Sequence, residues 1–207
     1  KGAAAAKRVA GTTSGPGRRG SRECCASCSR RATENFEENG KDDKQLVSFR
    51  PSQNIKDEFL TVVNTIAWLI NVQKVEPEEI LVINLDTKNS KNHFEFIRQQ
   101  LDINKVKAIT PGFVESTDSF KEKGYVTLST PFRAKGNEAN IVFIINSQQV
   151  INDPTFRMRN AIFVSITRSR GWCYLHGHGP GINELQLEIN NLFKDYPTFD
   201  FVFPSEL

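Results

Sequence analysis

The 207-residue chain is poor in the residues that build metal sites and covalent chemistry: four cysteines, three histidines and one methionine. Cys24, Cys25 and Cys28 lie close together but have no fourth ligand of suitable geometry nearby, so a closed tetrahedral zinc site has no support, and no metal ligands are expected. Cys173, among Trp172, Tyr174 and Leu175, reads as a buried, reduced thiol, which fits a reducing cytoplasm. Long apolar runs are missing as well. The longest, Phe59 to Val72, is broken by Thr61, Asn64, Thr65 and Asn71 and falls short of the about 20 residues that span a bilayer, so no membrane partner is expected. There is no G-x-x-x-x-G-K-[ST] phosphate loop, since Gly40-Lys41 leads into Asp42 and no glycine stands five residues before Gly40. No Asp-Glu pair ends a strand to hold magnesium. The serines lack a nucleophile elbow and the histidines imply no triad, which excludes hydrolysis by residues of this chain alone.

What is present divides unevenly. Residues 1–31 hold eight Lys/Arg against the single acid Glu23, whereas the remainder holds 19 basic and 23 acidic groups. The net charge of +3 therefore belongs to a tail and gives no argument for nucleic acid on the rest. That tail is rich in Ala, Gly, Ser and Arg and nearly free of large apolar side chains, so burial cannot offset its ordering entropy. Residues 1–43 are expected to be poorly ordered, or added by cloning. A transit peptide is the other reading of an Arg- and Ser-rich, acid-poor start, but its alanines show no amphipathic period.

Beyond the tail, apolar runs alternate between helical and strand type. Ile55, Phe59, Val62, Val63, Ile66, Leu69 and Ile70 recur at three- and four-residue steps, which predicts an amphipathic helix over Ile55–Gln73. The run ILVINL from Ile80 to Leu85 is short and β-branched, as in a strand buried on both faces of a parallel sheet, and a helix follows from about Ser90 to Leu101. Further strands are expected at Val106–Ile109, Tyr125–Ser129, Ile141–Asn146, Trp172–His176 and Phe199–Phe203, with helices near Arg157–Arg168 and Ile182–Phe193. Six strands and four helices in this order make a doubly wound, mostly parallel α/β sheet. Pro111 to Gly124 reads as a polar surface loop.

In open α/β sheets ligands collect beyond the carboxyl ends of the strands, and two segments near expected strand ends carry candidate chemistry. In the first, Val126 to Glu138 followed by an apolar strand, Gly136 lets backbone approach a ligand, Lys135 supplies a cation and Glu138 can accept hydrogen bonds from a sugar hydroxyl. In the second, Arg159 to Arg170, Met158, Ala161, Ile162, Ser165 and Ile166 share one helical face, and Arg168 projects near the helix end. A guanidinium there can grip phosphate oxygens bidentately and stabilise charge developing in phosphoryl transfer. His176 and His178 alternate along a strand without a third metal ligand, and Gly177, Gly179 and Gly181 read as a tight turn.

Together these segments resemble known motifs. TPFRAKGNEANIVFII is similar to motif V of superfamily 1 helicases, and RNAIFVSITRSRGWCYLHG looks like their motif VI. EEILVINLDTKNSKNHFEFIRQQL resembles a strand-and-helix segment of the same family, so the likeness covers most of Leu46 to Gly177. The resemblance is to the second RecA-like motor domain of UvrD/Rep-type helicases, placed at residues 44–207. It implies that Glu138 touches a nucleotide ribose and Arg168 a γ-phosphate, with Gly136 and Lys135 beside them. Thr130, Phe132 and Arg133 would meet a single strand of DNA or RNA. ATP with Mg2+ would be held mainly by an N-terminal RecA-like domain of the same parent protein.

This sequence departs from the pattern in three places. Asp86-Thr87 stands where the family commonly has Arg-Thr, Asn137 replaces a common Leu, and Phe132 replaces a His, which trades a phosphate hydrogen bond for a ring that can stack on a base. Val47 to Ser52 only faintly resembles the family's Asn-Tyr-Arg-Ser motif, and Arg50 reads as a surface arginine. The alternative to a motor half is a RecA-like docking module without ATPase activity.

Overall fold

The structure is a computed structural model that describes residues 47–112 and 119–195, the side chains of 192–195 excepted. All of these residues lie in the unit Lys41–Leu207. The strands expected at Phe199–Phe203 and the basic tail fall outside the described residues.

The elements run β1 (Val47–Ser52), α1 (Ile55–Asn71), a short 3-10 turn (Pro77–Glu79), β2 (Ile80–Asn84), α2 (Ser90–Ile103), β3 (Ala108–Ile109) and β4 (Val126–Ser129). They continue with α3 (Pro131–Ala134), β5 (Ala139–Ile145), α4 (Gln149–Asn152), α5 (Phe156–Ile166), β6 (Ser169–His178) and α6 (Gly181–Asp195). The six strands form one sheet in the order β1-β6-β5-β2-β4-β3, and every pairing is parallel.

Alternation along the central strands divides the core. Ile80 and Val82 of β2 and Ile141, Phe143 and Ile145 of β5 face α1 and α2, meeting Phe59, Val62, Ile66, Phe94 and Ile97. Leu81, Ile83, Val142 and Ile144 face the other way, against Ala161 and Ile162 of α5 and Leu185 of α6. Helices on both faces explain why β2 is buried at all five positions: a strand in the middle of such a sheet has no solvent side. Each of these fully buried aliphatic side chains contributes about 1.5–3 kcal/mol relative to exposure.

Helix α1 starts where its sequence provides a cap. The Asn54 side chain accepts the Asp57 amide at 2.9 Å, and Asp57 in turn accepts the Gln53 amide at 3.1 Å, which satisfies two donors at the helix start. Its apolar stripe falls on the sheet as the three- and four-residue spacing requires.

The structure corrects the element reading in two places. Val47–Ser52 is a strand, pairing parallel with β6 from Val47↔Cys173 to Ser52↔His178, so Arg50 sits on an edge strand rather than in a connecting segment. The helix expected to reach Arg168 ends at Ile166, and the chain is already in β6 by Ser169.

Candidate functional site

The candidate residues fall at two opposite edges of the sheet. Register places Ser129 beside Ile83 of β2, which pairs with Ile144 of β5, so Thr130 leaves the sheet at its carboxyl edge. Glu138 immediately precedes Ala139 and stands six residues before Ile144, so at about 3.3 Å per residue it lies roughly 20 Å away, at the amino edge. Arg168 likewise precedes the first residue of β6. The expectation that this chemistry gathers beyond the carboxyl ends is therefore wrong for Glu138 and Arg168: each sits on a crossover that has already returned to the start of the next strand.

At the amino edge the two motif segments meet. The Ala139 amide donates to the Arg168 carbonyl at 3.0 Å. The Arg170 guanidinium donates through Nε to Glu138 Oε2 at 2.9 Å, with both side chains about half exposed. Arg168 is folded back on the end of α5: Nε donates to the Val164 carbonyl at 3.0 Å and Nη2 to Thr167 Oγ1 at 3.1 Å. This uses two of the five N–H donors of the guanidinium and fixes the side chain at the helix terminus. Gly136 has φ +88°, and no heavy atom stands within 4 Å of where a Cβ would be, so the turn before β5 presents bare backbone to open space. Lys135 beside it is exposed.

Lys121 adds a cation that sequence reasoning passed over. It is partly buried, and burial lowers its pKa from the ordinary lysine value while the nearby Glu79, Glu78 and Glu138 oppose the shift and Arg170 adds to it. Arg170 too was within the motif segment without being singled out. The only advance signal for it was a second arginine two residues after Arg168.

At the carboxyl edge stand Thr130, Phe132 and Arg133. Thr130 occupies the cap position of α3 with extended backbone and makes no side-chain cap bond. Phe132 is 43% exposed, and the Arg157 guanidinium lies 5.7 Å from its ring centroid. Arg133 donates to the Pro111 carbonyl at 2.9 Å, passing so close to Gly112 that any Cβ there would strike its guanidinium. Arg133 is thereby tied to the loop that follows β3.

A buried polar network also occupies this edge. Glu58, fully buried at the start of α1, accepts the Asn146 amide at 2.6 Å through Oε1 and lies 2.5 Å from His178 Nδ1 through Oε2. Asn146, at φ +59°, donates through Nδ2 to Asn84 Oδ1 at 2.8 Å, and Asn84 Nδ2 reaches His93 Nδ1 at 3.1 Å. The network joins the ends of β2, β5 and β6 to α1 and α2. His176 and His178 do not face a common ligand: His176 is buried against Phe143, with both ring nitrogens unpartnered among the described residues, and His178 belongs to the Glu58 network. Burial and the Arg50 charge push the His176 pKa down to about 4.

A shallow cleft of about 490 Å³ at the carboxyl ends of β1 and β6 is lined by Pro51, Ser52, Gln53, Asp57, Gly179, Ile182 and Asn183. Its lining contains an acid and no cation, which suits no phosphate. Among the described residues, no group of three or more His, Cys, Asp or Glu could hold a metal ion.

A six-stranded parallel sheet with helices on both faces is the architecture of a RecA-like α/β fold, and the two motif segments meet at its amino edge. Residues 125–176 match the family model of the UvrD-like helicase C-terminal domain. This stretch runs from the start of β4 to near the end of β6 and includes every residue that the motif resemblance singles out. Among solved structures the chain is similar to one described as the C-terminal domain of a possible DNA helicase from Lactobacillus plantarum. That likeness has 17% identity and a TM-score of 0.49, over 74% of this chain and 89% of that one. No curated protein matches.

Proposed function

We propose that this chain is the C-terminal motor domain of an ATP-dependent superfamily 1 helicase or translocase, acting on single-stranded DNA or RNA in the cytoplasm. The observation that carries the reading is the meeting of Glu138 and Arg168 at one sheet edge, joined through the Ala139 amide and the Arg168 carbonyl. The donor set fits a nucleotide: a carboxylate for sugar hydroxyls, guanidinium groups for phosphate oxygens and open backbone at Gly136. Bound ATP would supply the phosphoanhydride whose cleavage drives movement, with Mg2+ and the phosphate loop belonging to an N-terminal RecA-like domain.

In this reading Arg168 releases its contacts with Val164 and Thr167 and turns toward the phosphates, where its fixed charge stabilises the negative charge that develops in transfer. Glu138 accepts from the ribose. Thr130, Phe132 and Arg133 hold the strand about 20 Å away across the sheet, so the sheet and its crossovers link the two edges mechanically. The chain carries no phosphate loop, and catalysis requires a second domain.

The test is ATP hydrolysis with and without single-stranded oligonucleotides, for this chain alone and joined to its N-terminal motor domain. Strand-stimulated turnover in the joined protein only is the expected outcome. A joined protein inert with every polynucleotide would replace the motor with a docking module.

A further inference from the structure

Next to the candidate strand contacts lie two side chains that the motifs do not include. Phe156 opens α5 and is 87% exposed, an unusual place for a large apolar ring. Arg157 follows it and reaches across to α3, where its guanidinium lies 5.7 Å from the Phe132 centroid. Because α5 runs from here back to the start of β6, its first turn stands at the carboxyl edge together with Thr130. That first turn contains no acidic residue, and the helix start itself favours anions.

We propose that Phe132, Phe156 and Arg157 form a base-stacking platform for a single strand of nucleic acid at the carboxyl edge of the sheet. The inference deepens the motor reading and rests on it for the identity of the ligand. Two exposed rings on separate elements, with Arg157 reaching from beside one to the other, can each take an unpaired base, and every base has a face that can stack, so such a surface binds without choosing sequence. A duplex hides its bases from such rings. The interleaved guanidinium distinguishes the patch from an apolar protein-docking face: it stacks on Phe132 while its charge meets the phosphate backbone.

The measurement is binding of a fluorescent oligothymidylate of about 16 nucleotides to the full 207-residue chain by anisotropy, across a salt series. Phe156→Ala should weaken binding about tenfold. Arg157→Gln should lower the magnitude of the log-affinity against log-salt slope by about 0.7, the signature of one lost phosphate contact on a single strand. With 2-aminopurine in the strand, the wild type should quench its fluorescence by stacking and Phe156→Ala should relieve the quench. Both substitutions are on the surface, and unchanged circular dichroism verifies the fold.

If both variants bind and quench as the wild type does, the platform is overturned while the motor reading stands. If the wild-type chain binds no strand although the joined protein shows strand-stimulated ATP hydrolysis, the platform is again overturned and the motor survives. If the joined protein is inert with every polynucleotide, the motor reading falls. In that case wild-type binding weakened by Phe156→Ala would still support the platform, and unaltered binding would overturn it.

Discussion

The Arg170 guanidinium closes on the Glu138 carboxylate at 2.9 Å, across the amino ends of β5 and β6. The carboxylate proposed to receive a ribose is thus already engaged, by an arginine two residues beyond the one proposed to meet phosphate. A ligand hydroxyl must compete with that ion pair, which at half-exposed positions is worth about 0.2–1 kcal/mol. Arg170→Ala should therefore lower the KM for ATP by up to about fivefold in the joined protein, with kcat unchanged. Steady-state kinetics decide the matter, because a KM raised tenfold would make Arg170 a phosphate ligand instead.

Glu58 is the keystone of the carboxyl edge. It is fully buried and accepts the Asn146 amide at a left-handed residue while facing His178. Replacing it with Leu leaves the buried Asn146 amide without its acceptor and the His178 imidazole with only the Gln148 side chain beside it, at a cost of about 3 kcal/mol. Denaturant unfolding should show the loss, and Glu58→Gln, which keeps an acceptor, should recover part of it.

His176 makes stability depend on pH in a defined direction. Its folded pKa is about 4, below the ordinary 6.5, because burial and Arg50 oppose the charged form. The unfolded chain takes up the proton first, so stability is full above 6.5, falls as pH drops toward 4, and levels off below that. The whole step is about 3 kcal/mol for this residue. His93 is also lowered by burial and adds a change of the same sign. Urea midpoints at several pH values should show that His176→Phe flattens this slope, with little or no loss at neutral pH, since both ring nitrogens of the native histidine lack partners among the described residues.

The fold was legible wherever burial imposed a period. The run from Ile80 to Asn84 is buried throughout and reads as a central strand, and the α1 stripe gives its helix away. The strand Val47–Ser52 escaped notice because an edge strand needs only Val47 and Phe49 inside, and Ser48, Arg50 and Pro51 look like a surface segment. Motif spacing singled out Glu138 and Arg168 as candidates but did not place them at an edge, since a general rule about strand ends does not say which end a crossover residue occupies. The Glu58 network was invisible for a simpler reason: Glu58, Asn84, His93, Asn146 and His178 come from five separate elements or connections, and only the folded sheet brings them together.

In the proposed motor, Arg168 supplies charge to a nucleotide held mainly by another domain. The most direct measurement is strand-stimulated ATP turnover of the joined protein with Arg168→Ala and Arg168→Lys. Both variants should fold and still bind the single strand, with kcat for Arg168→Ala down about a thousandfold or more and Arg168→Lys recovering little of it. Turnover undiminished in Arg168→Ala would overturn this role and leave Arg168 as no more than the cap of α5.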